Sequence, residues 1–442
     1  MSVAARAVPR ALFIGLIFVA FAGLLIFASF ARTGGDGTVP GPYGDTQDYD
    51  GIAFQILKGR GFGIDYTDAE WRKPYELHND EGDYVELLAR HTPFQYSTYR
   101  PPLLPYTLAA VYHVFGRNFL VWRIIEALLV ALAVALVCDV AWRTFGSGVA
   151  LIAAGIMFIS QTYVRYVAVE ALMTEPLAMA AAAVLLWTLV RFCETRRTGF
   201  AIAAGVAFAL LSLARTFYVV WLPFIALLVW WLSGRRLKQV TWFVVLAIAI
   251  QVPWIVRNIR VTGELMPFGT QSGVAIYTGY SDLAVLHRGI WWMAPGDQPA
   301  RAYVRELGRP CTACDSVQLA KYEMAGARVW VRQHAGMLPK LMYWKIANTV
   351  VFADEAGLIA PVFCFAIAAP LVWWRRRAFI RSDAAMTCAL FVLLSVAVIT
   401  ATWSMGWRFM VPVEPVIAVF AAVPIASLIF GEATIGPAPA PD

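Results

Sequence analysis

Long apolar runs alternate with short polar breaks along most of this chain, and two long polar stretches interrupt the rhythm. The first run, Ala11 to Ala31, follows Arg6 and Arg10. Further runs lie at about 119–140, 148–166, 171–192, 200–215, 217–233 and 239–256, then near 357–374, 384–402 and 409–430. Runs of about 20 apolar residues are long enough to cross the hydrocarbon layer as helices. The pattern therefore predicts about ten crossings. The first run is long for a signal peptide and lacks a small-residue cleavage site, so it reads as a retained span with a cytoplasmic N-terminus. Residues 32–118 and 257–340 are the two large loops, and a short Pro- and Tyr-rich helix at 103–116 suits the interface better than a crossing. The stretch 332–350 carries Lys340 and Lys345 and reads as interfacial or as a partial span. The tail, 432–442, is low-complexity and is expected to be disordered.

Composition agrees with the pattern. Hydrophobic residues make up 60% of the 442, and charged residues only 15%, against roughly 25% in an ordinary soluble domain. The surplus of seven positive charges could point to nucleic acid, so its placement decides. Under the ten-span scheme one side holds Arg6, Arg10, Arg143, Arg191, Arg196, Arg197, Arg235, Arg236, Lys238, Arg375, Arg376, Arg377 and Arg381. Each short loop on the other side has hardly more than one Arg: Arg165, Arg215 or Arg408. That asymmetry is the positive-inside pattern of a membrane protein, and it puts both large loops outside the cytoplasm. Both termini are then cytoplasmic.

The stretch after the first span carries the densest chemistry. Asp45, Asp48 and Asp50 crowd one end of a segment in which Ile52, Ala53, Ile56 and Leu57 recur at helical spacing, and Gly59 and Gly61 stop the helix. An acid-headed amphipathic helix of this kind lies along a membrane face. Asp45 can be read as a helix cap, with Asp48 completing a box-like pairing, or as a general base at the membrane surface; local sequence leaves both open. Arg100, Arg123, Arg165, Arg215, Arg257 and Arg408 sit at outer ends of spans. Singly, such arginines are headgroup anchors; together, opposite carboxylates, they point to a phosphate site. Glu170 and Glu175 flank one outer turn, where a buried acid near the membrane raises a functional hypothesis; Glu126 and Glu414 are weaker candidates.

Other signals are sparse. Cys311 and Cys314 have a metal-like spacing without a second pair, so outside the cytoplasm a local disulfide is favoured over metal. No HExxH, P-loop, GxGxxG or Ser-His-Asp signature is present, and nothing points to ATP hydrolysis. The first-loop acids could hold a divalent metal, but no ligand spacing asks for one. Most tryptophans read as interfacial belts, while Tyr277 and Trp291-Trp292 could stack on a sugar.

Six stretches, in order, resemble the GT-C superfamily of membrane glycosyltransferases, in the bacterial branch related to protein O-mannosyltransferases and the aminoarabinose transferase of lipid A. They are Asp45 with Tyr49, Ala53, Leu57, Gly59, Gly61 and Phe62; Tyr99-Arg-Pro-Pro-Leu-Leu-Pro105 leading to Phe115-Gly116; Thr174-Glu-Pro-Leu177; Leu213-Ala-Arg-Thr216; Pro253-Trp-Ile-Val-Arg-Asn258 with Gly263 and Pro267; and Trp407-Arg-Phe-Met-Val-Pro412 with Glu414-Pro415. The resemblance implies a single all-α polytopic GT-C domain in a bacterial plasma membrane. It implies transfer of a hexose or pentose from a polyprenyl-phosphate donor to an outer acceptor hydroxyl, with inversion and no required cofactor. Asp45 maps to the catalytic base, with Asp48 or Glu175 as a second acid. Arg100 and Arg215 map to the donor phosphate, with Arg257 and Arg123 beside them; Tyr49, Tyr99, Asn258 and Arg408 complete the expected substrate contacts. Many members carry an acid directly after the first Asp, where this chain has Thr46. The alternatives are a non-catalytic carrier or flippase of lipid-linked sugars, a polymerase or ligase using a lipid diphosphate, and a lipid-binding scaffold.

Overall fold

The computed structural model describes residues 9–42, 44–79, 84–290, 311, 315–350, 382–402 and 408–430. Among them the fold is helical, with one two-stranded antiparallel ribbon. The ribbon pairs β1 (Gly63–Ile64) with β2 (Gln95–Tyr96). Among the described residues, six helices are long and apolar enough to cross a membrane: α1 (Arg10–Thr33), α6 (Phe119–Phe145), α9 (Thr174–Thr195), the continuous pair α12 (Leu237–Ala249) and α13 (Val252–Thr262), α18 (Asp383–Ala401), and a last segment, Arg408–Phe430, that contains α19 (Glu414–Phe430). A bent pair, α7 (Ser147–Ile159) with Thr162–Val169, which opens as the short α8 (Thr162–Val164), turns by 54° and makes a seventh crossing only if the two halves form one span. The expected spans at 200–215 and 217–233 are shorter apolar helices, α10 (Thr198–Ala214) and the Thr216–Leu232 unit ending in α11 (Leu222–Leu232). The expected span at 357–374 and the tail lie outside the described residues.

Small residues decide how the central helices pack. Ala178 and Ala180 to Ala183 are buried on α9, which lies between α6 and α10. Such small side chains let backbones approach where lipid supplies no hydrophobic drive. Gly205 does the same for α10 against α12, where a Cβ would come within 2.6 Å of the Phe243 carbonyl oxygen. On α1, Leu16, Val19 and Phe27 stay exposed, as expected of a face that meets lipid tails.

The two ends of the bundle differ chemically. At one end Asp139 of α6 accepts from Arg143 Nε (2.6 Å) and Trp187 Nε1 (2.8 Å) and meets Arg10 (3.2 Å). Glu194 pairs with Arg143 and Arg191, and Arg196 with Asp383. The opposite end holds the first loop: α2 (Gly44–Leu57), α3 (Ala69–Leu77), α4 (Val85–Leu88), the ribbon, and α5 (Leu103–Phe115), which packs on α2 as a short apolar helix beside the bundle. The second loop contributes α14 (Gln271–Gly279), α15 (Asp282–Leu286), α16 (Ser316–Gln333) and α17 (Leu338–Val350). The stretch around Lys345 is thus a 13-residue helix. Lys345 is buried, donates from Nζ to the Thr402 carbonyl at 2.9 Å, and lies 4.0 Å from the Tyr280 ring centre.

Asp50 fixes the roll of α2. It is fully buried and accepts from Trp71 Nε1 (2.7 Å), Tyr75 OH (2.9 Å), Tyr112 OH (2.7 Å) and Arg117 Nε (3.0 Å), with a second bond from Arg117 Nη2. A helix turns about 100° per residue. With Asp50 facing the loop, Asp45 and Asp48, one turn apart, are presented together on another face.

Candidate active site

The elements that meet at the loop end of the bundle enclose one cavity of about 100 Å³. Its lining includes Asp45 and Tyr49 from α2, Tyr99 and Arg100 from the loop before α5, Arg215 from the end of α10, and Arg408 at the start of the last span. Glu175, in the first turn of α9, is buried directly behind it.

Three carboxylates and three guanidinium groups alternate through this site. Arg100 Nη2 lies 2.7 Å from Asp48 and donates to Asp45 Oδ1 at 2.6 Å. Arg408 Nη2 donates to Asp45 Oδ2 at 2.6 Å, while its Nε donates to Glu175 Oε1 at 2.6 Å. Arg215 Nη2 reaches the same Glu175 oxygen at 3.2 Å. The chain reads Asp48, Arg100, Asp45, Arg408, Glu175, Arg215, and its formal charges cancel. Arg215 is the least committed member: its Nη1 is buried without an acceptor among the described residues, and its guanidinium lies 4.6 Å from the Phe409 ring centre.

These pairings set the chemistry of Asp45. Burial is the largest single influence and raises its carboxyl pKa, but Arg100 and Arg408 together outweigh it and hold the group well below the usual carboxylate range. Both oxygens are occupied, so the resting carboxylate is a weak base. Burial pushes the Tyr49 phenol up to about 12, with Arg100 pulling the other way. Tyr49 therefore keeps its proton and can donate a hydrogen bond at neutral pH.

Not every expected residue reaches the cavity. Arg123 is buried and donates to the backbone carbonyls of Val39 (2.7 Å), Pro40 (3.2 Å) and Ala168 (3.2 Å). It ties the start of the first loop to the outer turn before α9. Arg257 donates to the carbonyls of Ser97 (2.6 Å) and Phe62 (2.9 Å), and Asn258 to that of Pro267 (3.2 Å). Both brace one loop against the other. Glu170 pairs with Arg165 at 2.5 Å, Tyr277 lies on α14 away from the cavity lining, and Cys311 is disulfide-bonded. Cys314 and Trp291-Trp292 lie outside the described residues. Among those residues, no group of three His, Cys, Asp or Glu side chains could hold a metal ion.

The outer turn before α9 carries a distortion that no sequence signal announced. Arg165–Val169 is π-helical, and Ala171 and Leu172 adopt left-handed backbone angles, with φ of 43° and 53°. Non-glycine residues in that region cost on the order of 1–3 kcal/mol each, and persist where the surroundings over-determine them. Thr46, where an acid was expected, supplies part of that support: its hydroxyl donates to the Ala171 carbonyl at 3.0 Å. Leu172 N–H donates to the buried Glu126 carboxylate at 3.3 Å. The strained turn places Glu175 between Arg215 and Arg408.

The family described as dolichyl-phosphate-mannose-protein mannosyltransferase matches residues 99–256. Among solved structures, ArnT from Cupriavidus metallidurans, bound to undecaprenyl phosphate, aligns over 93% of this chain and 78% of its own at 15% identity, with a TM-score of 0.42. The oligosaccharyltransferase AglB from Archaeoglobus fulgidus, in complex with an inhibitory peptide and a dolichol phosphate, aligns over 95% of this chain at 12% identity, with a TM-score of 0.51. This chain spans about half the length of AglB, at 51%. No curated protein matches in sequence. The chain thus has six helices able to cross a membrane among its described residues, shares the fold of AglB, and matches the mannosyltransferase family over residues 99–256.

Proposed function

We propose that this protein transfers a sugar from a polyprenyl-phosphate donor to an acceptor hydroxyl on the outer face of a bacterial plasma membrane, with inversion at the anomeric carbon. The observation that carries this reading is a carboxylate in the same cavity as three arginines, one of them with an uncommitted N–H. Two further features support it. A second, mostly apolar groove is lined by Pro102, Leu103, Tyr106, Leu213, Pro253 and Trp254. It starts one residue beyond Pro101 and one before Ala214 of the charged cavity, so a polar head and a prenyl chain would find adjoining surfaces. The basic end of the bundle lies opposite the site, as the positive-inside rule expects of an outward-facing centre.

In the proposed reaction the acceptor oxygen attacks the anomeric carbon and its proton passes to Asp45. The bond from that carbon to the phosphate oxygen breaks, and the phosphate leaves with the electron pair. Arg215, Arg100 and Arg408 stabilise the charge that builds there. A donor phosphate shares the guanidinium groups that otherwise clamp Asp45, so its arrival restores the basicity the resting site lacks. The same clamp favours the rival reading, a carrier that binds the lipid phosphate and uses no base. Purified protein should bind undecaprenyl phosphate. Arg215→Ala should weaken that binding about 10- to 100-fold, the worth of a charge-assisted hydrogen bond of about 1.5–3 kcal/mol, and Arg215→Lys should recover only part because it lacks the planar fork. Undiminished binding by Arg215→Ala would remove this residue from the phosphate site.

A further inference from the structure

The charged groups of the cavity are engaged with one another, so a sugar must be recognised by what remains. Polar side chains in the lining that make no hydrogen bond to a described residue include Tyr49, Thr174, Thr216 and Gln271. Gln271 is the one contributed by the second loop. We infer that Gln271 is a specificity-determining residue that reads hydroxyl groups of the donor sugar; this rests on the proposed donor reading above.

The fold fixes where Gln271 stands. Thr270 N–H donates to the Thr98 carbonyl at 2.9 Å, and the two threonine hydroxyls meet at 3.2 Å. Gly269, at φ 79°, lets the backbones come this close; a Cβ there would collide with the Thr98 carbonyl oxygen. Arg257 holds Ser97, and Asn258 holds Pro267, on either side of that junction. The two loops are therefore joined one residue before Gln271 and two before Arg100. Gln271 opens α14 and lines the same cavity as Arg100 and Arg408. A primary amide offers two donors and one acceptor oxygen, which matches a pair of neighbouring sugar hydroxyls. Its neutrality also matters. A carboxylate at this position would repel the incoming phosphate, and a cation would compete for Asp45.

The test compares binding of lipids with and without a sugar. Full-length protein in nanodiscs is titrated with bare undecaprenyl phosphate and with undecaprenyl phosphate carrying mannose, glucose or galactose. The wild type is expected to bind at least one sugar-bearing lipid more tightly than the bare one. Gln271→Ala should erase about five- to tenfold of that preference, the scale of one neutral hydrogen bond, and leave affinity for the bare lipid within about twofold. Gln271→Asn should fall between them. An equal loss for bare and sugar-bearing lipids would make Gln271 a structural or phosphate residue and overturn the inference. So would an unchanged preference, or a wild type that binds bare lipid well and shows no preference for any sugar; both leave the phosphate reading intact. A wild type that binds none of these lipids overturns the reading of the cavity, and this inference falls with it.

Discussion

Asp45→Asn is expected to keep lipid binding and to lose transfer by about 10²–10⁴-fold, the range for removal of a general base. The substitution keeps the shape of the side chain and removes its charge and basicity. Arg100 and Arg408 would each lose an anionic partner on α2, so undecaprenyl phosphate should bind at least as tightly as to the wild type. That combination separates a base from a structural carboxylate, whose loss would weaken both. The pH dependence carries a sign that can be worked out. The folded pKa of Asp45 lies below its unfolded value of about 3.9. Its ion pairs therefore stabilise the fold fully above that pH and lose their effect only as pH falls through the folded value. Transfer and lipid binding measured between pH 5 and 8 should show no acid limb from the resting Asp45. Wild-type transfer by Asp45→Asn would contradict its role as the base.

Asp50→Ala is expected to cost about 3–5 kcal/mol of stability, because it leaves the Arg117 guanidinium buried without its anion. Arg117 would retain only its bonds to the carbonyls of Trp71 (2.9 Å) and Glu70 (3.3 Å). Three further donors, on Trp71, Tyr75 and Tyr112, lose their acceptor at the same time. Thermal unfolding of the purified protein reads the loss directly. Transfer should also fall, because nothing else sets the roll of α2 so firmly and Asp45 rides on that helix. Removing both charges in Asp50→Asn with Arg117→Met should recover part of the stability. An Asp50→Ala variant within about 0.5 kcal/mol of the wild type, the usual range of an inert surface change, would contradict the account of this hub.

Much of the architecture was legible because membrane insertion writes itself in runs of apolar residues and in the placement of arginines. The amphipathic α2 and the short α5 could be read in the same way. Helical periodicity also separates Asp50 from Asp45 and Asp48, although the three acids looked like one cluster along the chain. The bend between α7 and Thr162–Val169 leaves no mark on the span expected at 148–166, since the segment that becomes π-helical contains neither glycine nor proline. Partners at the site were out of reach for a different reason. Asp45 meets Arg100 across 55 positions and Arg408 across 363, and no local pattern encodes such distances. The arginines could be recognised as a set, but nothing local divides those that face the cavity from those that hold carbonyls, as Arg123 and Arg257 do. Arg117 and Gln271 carry no periodic or motif signal of their own. Their surroundings assign them.

The most direct measurement follows the fate of a labelled sugar. Purified protein is given undecaprenyl phosphate carrying the radiolabelled hexose it binds best, together with envelope lipids and glycans from cells that lack the gene. The expected result is a labelled product in which the hexose has formed a new glycosidic bond of inverted configuration, with bare undecaprenyl phosphate released in equal amount and both lost in Asp45→Asn. Label that stays on its original lipid and merely changes leaflet, at the same rate in wild type and Asp45→Asn, would contradict it.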